Sequence, residues 1–357
     1  MARALFPKWR YMDLERSADL SLISSDIEGF LDSNPRHVII DEAQLIPALF
    51  PALRHALDNS RNKGRYILLG SASPSLVRSV SETLAGRTGF LELTPFRACE
   101  LLPGGRAEEA WYWGGFPPIH ALRGTDLRLE WLDGYVSAFL ERDLPALGMR
   151  MPPRRLRVLW TMLTHIHGGL LNTSDLGRSL GVSHHTVADY LDLLEGAFMI
   201  RRLQPFHSNV KKRLVKAPKV YLRDTGLLHF LAGLRGPHEL ETWPRCGFSF
   251  EGMVIEELAA QATARIVRPE FYFWRTQTGA EVDLLIKYGH DLAAVEIKLG
   301  AAVDGRNLGG LRQCMSDLGL KRGWVVCTGR ERVNAGGGVE IVPWSDVVNK
   351  RANFTAS

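Results

Sequence analysis

The sequence predicts an α/β protein in which a parallel sheet is followed by a helix-turn-helix unit and then by a second α/β unit. Short, uniformly apolar runs separated by amphipathic stretches predict the parallel sheet, because its strands are buried on both faces. Two helix-like stretches on either side of a glycine predict the helix-turn-helix. Runs rich in aromatic and branched residues near the C-terminus predict the strands of the last unit.

The composition of the chain limits the class of protein. It has 357 residues, of which 45% are apolar and 23% are charged, and this predicts two or three globular domains. The apolar runs are far shorter than the ~18 residues that a membrane-spanning helix needs, so no membrane association is expected. The four cysteines form neither a CxxC pair nor a Cys/His cluster, so a reducing, cytoplasmic location is expected.

Positive charge is concentrated in the middle of the chain. The whole chain has a net charge of +5, yet residues 141–220 hold 13 Lys and Arg against 6 Asp and Glu, an excess of +7. A basic segment between less charged ends indicates a surface that faces a polyanion.

Polar side chains follow two apolar runs of the first region, at the edge where ligands bind in parallel sheets. Asp41 and Glu42 end the run at 37–42, while Ser71 and Ser73 follow the run at 66–70. An Asp-Glu pair in this position can hold Mg²⁺ through the Asp and orient an attacking water through the Glu. Many buried strands also end in solvated acids, so the pair alone has low specificity.

Four segments make this region resemble a known family. Residues 41–44, 69–74, 81–88 and 91–96 together resemble the AAA-type ATPases of bacteria and archaea that carry a C-terminal nuclease-like domain of unknown function. The resemblance implies ATP and Mg²⁺ as cofactors and Arg87 as a contact to nucleotide phosphate, with a structural role of Arg87 as the alternative. By analogy it also suggests a homo-oligomer.

The chain contains no GxxxxGK[ST] phosphate loop, which the family places before the apolar run at 10–14. The backbone N–H groups and the Lys of that loop are the main anchor of the β- and γ-phosphates. The expectation is therefore a truncated P-loop-type sheet over 1–97, through a late gene start or a degenerate domain, with impaired ATP hydrolysis. Residues 98–150 match the helical lid of the family.

Residues 151–235 predict a winged helix. A helix at 175–180 capped by Ser174 leads through Gly181 to a second helix capped by Ser183, and runs at 198–203 and 219–222 predict a hairpin. A protein-interaction or interdomain role is the alternative to DNA binding, because the second helix also carries acidic residues. The candidate DNA contacts are Ser183, His184, His185, Thr186, Lys211, Lys212 and Arg213.

Residues 240–357 predict the last α/β unit. Glu296 and Lys298 alternate onto one face of a strand, Asp283 lies on the strand before it, and Glu251 lies on the preceding helix. Carboxylates placed in this way can hold Mg²⁺, and the lysine can orient or deprotonate a water. The alternative is a salt bridge between Glu296 and Lys298 on a solvated face.

This last pattern resembles the PD-(D/E)XK nuclease superfamily. The resemblance implies metal ligands at Glu251, Asp283 and Glu296, and catalytic roles for Asp283, Glu296 and Lys298. The leading hypothesis for the whole chain is an ATP-binding, AAA-type ATPase-like protein associated with nucleic acid, most simply DNA. A Mg²⁺-dependent nuclease and a protein-interaction module that uses neither site are the alternatives.

Overall fold

The structure is a computed structural model that describes residues 1–59, 62–70, 80, 82–101, 109–146, 151–207, 215–266, 268–301, 303, 308–352 and 354. The chain divides into two units. The N-terminal unit consists mainly of Met1–Glu92, with two short later segments that include Asp192–Phe198, and the C-terminal unit contains the remaining chain. Among the described residues, no helix is both long enough and apolar enough to cross a bilayer.

The N-terminal unit contains a three-stranded parallel sheet, as the apolar runs predict. Its strands β1 (Arg10–Asp13), β2 (Val38–Asp41) and β3 (Tyr66–Leu68) lie in that order and pair in parallel. Val38, Ile39 and Ile40 of β2 are fully buried, because the middle strand is covered on both faces. The helices of this unit are α1 (Ala2–Leu5), α2 (Ser17–Ser25), α3 (Ile27–Ser33) and α4 (Leu49–Asp58).

The chain leaves β2 through a sharp turn. Glu42 has a φ of 53°, in the left-handed region that few non-glycine residues adopt, and a 3₁₀ turn at Ala43–Leu45 follows directly. The strand therefore ends at Asp41, and both acidic residues lie at the carboxyl edge of the sheet.

The C-terminal unit contains a nine-stranded mixed sheet. Its order is β11-β12-β10-β9-β8-β7-β5-β6-β4, with β7, β8 and β9 antiparallel and β9, β10 and β12 parallel. The strands are β4 (Gly169–Leu170), β5 (Ile200–Pro205), β6 (Lys219–Leu222), β7 (Glu270–Arg275), β8 (Glu281–Tyr288), β9 (Asp291–Lys298), β10 (Gly323–Cys327), β11 (Val333–Asn334) and β12 (Val339–Pro343).

Thirteen α-helices are described after the N-terminal sheet. A π-helical stretch at Phe139–Asp143 is also present, in which Arg142 Nε lies 2.8 Å from Asp143 Oδ1. The α-helices are α5 (Ala98–Leu101), α6 (Glu109–Trp113), α7 (Pro117–Ala121), α8 (Thr125–Ala138), α9 (Leu144–Ala146), α10 (Pro153–His165), α11 (Thr173–Leu180), α12 (His184–Gly196), α13 (Thr225–Leu231), α14 (Pro237–Thr242), α15 (Cys246–Arg265), α16 (Gly309–Leu318) and α17 (Trp344–Val348).

The two helices predicted on either side of Gly181 are α11 and α12. Gly181 has a φ of 66°, so the chain turns there at little steric cost. Ser183 caps α12, since its Oγ accepts from Thr186 N at 3.1 Å. The prediction that Ser174 caps α11 is wrong: Asn172 Oδ1 accepts from the N–H groups of Ser174 and Asp175 instead.

One sheet runs through the middle and last segments of the chain. Strand β5 pairs antiparallel with β6 and, at its other edge, in parallel with β7 through Gln204↔Tyr272 and Pro205↔Phe273. The segments expected as a winged helix at 151–235 and a nuclease-like domain at 240–357 therefore share a continuous sheet. A side chain of β6, Lys219, thereby contacts residues of β8 in the last segment.

A buried aspartate joins α13 to the glycine pair at 114 and 115. Asp224 caps α13 by accepting from Leu227 N at 2.8 Å, and it also accepts from Gly115 N at 2.7 Å. Gly114 has a φ of 70°, and a Cβ there would lie 2.2 Å from Asp224 Oδ1. The positive φ and the lack of space for a Cβ both require glycine at 114, so the Gly114-Gly115 pair has a structural role.

Candidate functional site

Three buried carboxylates meet where α15 packs on strands β8 and β9. Glu251 comes from α15, Asp283 from β8 and Glu296 from β9, and each residue is less than a tenth exposed. The antiparallel register, in which Leu284 lies opposite Val295, brings Asp283 beside Glu296. The structure therefore brings together the three acidic residues that the sequence pattern selects.

Lys298 is the fourth residue that the sequence pattern predicts for this cluster. Its Nζ lies 2.6 Å from Glu296 Oε1, because residues two apart on β9 share a face. The pair does not lie on a solvated face, since the side chain of Glu296 is 10% exposed while that of Lys298 is 43% exposed. Asp283 is fixed by a hydrogen bond from Ile297 N to its Oδ2, at 2.8 Å.

A second lysine lies among the same carboxylates, and sequence reasoning did not select it. Lys219 is the first residue of β6, and its Nζ lies 3.0 Å from Glu251 Oε1, 2.5 Å from Glu281 Oε1 and 3.6 Å from Asp283 Oδ1. Its side chain is 2% exposed. Tyr221, two residues further along the same strand, donates from its hydroxyl to Glu251 Oε1 at 2.5 Å.

Strand β6 lies three positions from β8 in the sheet order. At about 4.8 Å for each position, this separation of roughly 14 Å is more than a flat sheet would allow a lysine to span. The contacts of Lys219 with Glu281 and Asp283 of β8 therefore require these strands to lie closer together than they would in a flat sheet. Two residue pairs join β5 to β7.

Burial dominates the electrostatics of the acidic cluster. It raises the pKa of Glu251 to about 7 and that of Glu296 to about 8, and the charge of Asp283 adds to both effects. Burial alone would lower the pKa of Lys219, but Glu251, Asp283 and Glu281 together with Tyr221 raise it well above its ordinary value. Lys219 is therefore held as an ammonium.

The donor set of this cluster consists of oxygen atoms, the ligands that Mg²⁺ prefers. Glu296 Oε2 is buried and has no hydrogen-bond partner among the described residues, so one carboxylate oxygen is available to a ligand. Within the same part of the chain, no group of three or more acidic, His or Cys side chains is arranged to hold a metal. In this cluster the Lys219 ammonium lies between the carboxylates.

The acidic pair of the N-terminal unit lies at the carboxyl edge of its sheet. Asp41 Oδ2 accepts from the Tyr11 hydroxyl, and Asp41 Oδ1 accepts from Glu42 N at 3.1 Å. Glu42 Oε2 accepts from Gln44 Nε2. The hydrogen bond to Asp41 and burial raise the pKa of Tyr11 to about 12, so this hydroxyl stays protonated and keeps donating.

Of the remaining candidates of this unit, Arg87 is the one that the structure describes. Arg87 donates from Nε to Asp58 Oδ1 at 2.5 Å and from a terminal nitrogen to Ala85 O at 3.0 Å. This ion pair at the end of α4 favours the structural alternative for Arg87. Ser71 and Ser73 lie outside the described residues.

The polar residues selected for DNA contact begin helix α12. Ser183 Oγ lies 2.9 Å from Thr186 Oγ1, and the rings of His184 and His185 lie 4.0 Å apart. An open groove of about 490 Å³ runs between α11 and α12 and is lined in part by Arg178, Ser183 and His184. The basic residues Lys211, Lys212 and Arg213 lie outside the described residues.

One sequence signal could have selected Lys219. It begins the strand Lys219-Val220-Tyr221-Leu222, in which every residue is buried. A lysine in a buried strand needs a charged partner, because an unpaired buried ammonium is costly. Glu281 gave no comparable signal, since a partly exposed acid at the start of a strand is ordinary.

Similarity to known proteins places the chain in a family. Residues 1–102 match the model of an AAA domain, and residues 105–238 and 246–347 match two domains of unknown function, DUF8612 and DUF4143. Uncharacterized proteins of Mycobacterium tuberculosis and Mycobacterium bovis are each 39% identical over 338 residues, which is 94% of this chain and 73% of each relative. The chain belongs to this AAA-type family.

More distant similarities add little to this assignment. An uncharacterized protein of Haemophilus influenzae is 24% identical to the AAA-type chain over 216 residues, which cover 56% of the chain and 53% of that protein. The crystal structure of a Vibrio cholerae protein aligns over 94% of the chain and 79% of its own length, with 10% identity and a TM-score of 0.25. A TM-score this low supports no argument about the fold.

Proposed function

We propose that this AAA-type protein binds a nucleoside triphosphate together with Mg²⁺ at the carboxyl edge of strands β1 to β3. Asp41 would hold the metal and Glu42 would orient the attacking water. The proposal is carried by one observation: β2 of a parallel sheet, inside the AAA-domain match, ends in this acidic pair.

The Asp41 carboxylate has the capacity for a metal ion. Each of its oxygens accepts one hydrogen bond, from Tyr11 or from the backbone of Glu42, and a carboxylate oxygen has two lone pairs. Mg²⁺ bound there would neutralise charge on the β- and γ-phosphates. Tyr11 would keep the Asp41 carboxylate oriented toward the sheet edge.

The test is calorimetric titration of the chain with a non-hydrolysable ATP analogue and Mg²⁺. Asp41→Asn should weaken binding at least tenfold, since it removes the charge that faces the metal. Asp32→Asn is the matched control, because Asp32 is an exposed acid on α3 of the same unit. Equal affinity of the two variants, or the absence of binding by the wild type, would contradict the proposal.

A second candidate function is metal-dependent hydrolysis of a nucleic-acid phosphodiester at the acidic cluster. The observation that favours it is the meeting of Glu251, Asp283 and Glu296 beside Lys298, with Glu296 Oε2 left without a partner. Bound Mg²⁺ would stabilise negative charge on the phosphate. Lys298 would hold the attacking water. The oxygen of this water bonds to phosphorus and gives a proton to solvent as the bond to the leaving oxygen breaks, and the leaving oxygen takes a proton from solvent.

The hydrolytic function is tested with single-stranded and duplex DNA and with RNA, in the presence of Mg²⁺ or Mn²⁺. Asp283→Ala and Lys298→Ala should each abolish cleavage. Lys287→Ala is the control, because Lys287 lies on β8 of the same sheet but pairs with Glu270 at the surface. Cleavage that persists in both site variants would assign the activity to another site or to a contaminant.

DNA is the proposed nucleic-acid partner, and the polar start of α12 and the basic middle segment support it. Duplex binding should weaken with salt, and neutralising Lys211, Lys212 and Arg213 together should reduce the dependence of affinity on salt. An unchanged salt dependence would show that these three residues do not contact DNA. Absence of nucleotide, metal and DNA binding in all these assays would favour the protein-interaction alternative.

A further inference from the structure

The acidic cluster already contains a cation that belongs to the chain. Lys219 Nζ lies within 3.6 Å of oxygens of Glu251, Glu281 and Asp283, and its side chain is 2% exposed. An ammonium is a compact charge with three N–H donors. Three carboxylates surround this charge, so Lys219 occupies the position of a bound cation.

Lys219 comes from a different part of the chain than the carboxylates. They belong to α15 and β8, whereas Lys219 begins β6, which pairs with β5. The side chain of Lys219 also passes over the ring of Phe273, with Nζ 5.6 Å from the ring centre. The middle segment therefore supplies a charge to a site built by the last segment.

A divalent metal bound by both Glu251 and Asp283 would compete with Lys219 for the same carboxylates. Mg²⁺ binds oxygen at about 2.0–2.1 Å in near-octahedral geometry, so in that position it would need the space that Lys219 Nζ occupies. Two cations held by the same buried carboxylates also repel each other strongly. Glu296 Oε2, which is buried and lacks a hydrogen-bond partner among the described residues, marks the side of the cluster that Lys219 leaves unsatisfied.

We propose that the Lys219 ammonium is the resident cation of this cluster and that a divalent metal enters only when Lys219 leaves it. This proposal shares its metal ligands with the hydrolytic function proposed above and rests on that function in this respect alone. Lys219 then acts as an internal block on the site, and displacement of β6 or of its first residue unblocks it.

The experiment compares Mn²⁺ binding by the wild type, Lys219→Met and Lys287→Met, with free Mn²⁺ measured by electron paramagnetic resonance. Methionine keeps most of the length of lysine and removes its charge. We expect Lys219→Met to bind one Mn²⁺ at least tenfold more tightly than the wild type, and to gain thermal stability on addition of Mn²⁺. Lys287→Met, which breaks a surface pair on the same sheet, should behave as the wild type does.

A further substitution identifies the ligands. Glu296→Gln in the Lys219→Met background should remove the gained Mn²⁺ site. Wild type that binds Mn²⁺ as tightly as Lys219→Met, with both affinities sensitive to Glu296→Gln, would overturn the blocking role and leave the hydrolytic function standing. A folded Lys219→Met variant that binds no Mn²⁺ would overturn both.

Lys219→Met leaves buried carboxylates without their counter-charge and can fail to fold. The double variant Lys219→Met/Glu251→Gln then replaces it, because it removes both members of one ion pair at nearly constant volume. Asp283 and Glu296 remain in this variant, so a Mn²⁺ affinity above that of the wild type is still expected. An affinity no higher than that of the wild type would overturn the proposal.

Discussion

Glu256 binds two arginines, Arg201 of β5 and Arg223, which directly follows β6. It lies on α15, its carboxylate accepts from Arg201 of β5 through both oxygens, and Oε2 also accepts from Arg223 Nε at 2.9 Å. Its side chain is 15% exposed and those of the arginines are 20% and 12% exposed. We predict that Glu256→Gln strongly destabilises the C-terminal unit.

The magnitude follows from the pKa of Glu256. Burial alone would raise this pKa, but Arg201 and Arg223 lower it from 4.5 to about 2. At about 1.4 kcal/mol for each pKa unit, the difference corresponds to about 3 kcal/mol of stability that depends on the ionised carboxylate. Because the pKa is lower in the folded state, this contribution is complete above pH ~4.5 and disappears as the pH falls toward 2.

The assay is urea unfolding of the wild type and Glu256→Gln, followed by the fluorescence of tryptophan, at pH 7 and again near pH 3. We expect a difference of about 3 kcal/mol at pH 7 that becomes clearly smaller at pH 3. Glu270→Gln, which breaks an exposed pair with Lys287, should leave the midpoint nearly unchanged. A Glu256→Gln effect that is equal at both pH values would refute the electrostatic reasoning.

Two further predictions concern capping residues, and both are measured by urea unfolding. Burial raises the pKa of Asp224 from 3.8 to about 6, so the wild type should lose about 3 kcal/mol relative to Asp224→Asn as the pH rises from 3 to 7. Parallel pH profiles would contradict this. Asn172→Ala should cost about 1 kcal/mol because it removes the cap of α11, whereas Ser174→Ala should cost much less. Equal losses in these two variants would contradict the assignment of the cap.

Local pattern in the sequence was sufficient for most of the elements. The runs that contain Val38–Asp41, Lys219–Leu222 and Asp291–Lys298 are strands in the structure, because a buried strand needs a short apolar run and little else. The cap at Ser174 was placed two residues too late, since Asn172 and Ser174 have similar capping chemistry. Which of them caps the helix depends on where the chain leaves β4 and becomes helical.

The sequence alone determined the α/β class, the acidic pair at the end of β2, and the grouping of Glu251, Asp283 and Glu296 beside Lys298. Apolar runs and the alternation of side chains along strands account for most of these features, and the resemblance to the nuclease superfamily selected Glu251. Only the tertiary structure decided that Lys219 lies among those carboxylates and that Arg87 pairs with Asp58. Both contacts depend on how separate strands and helices pack against each other, which no local pattern encodes.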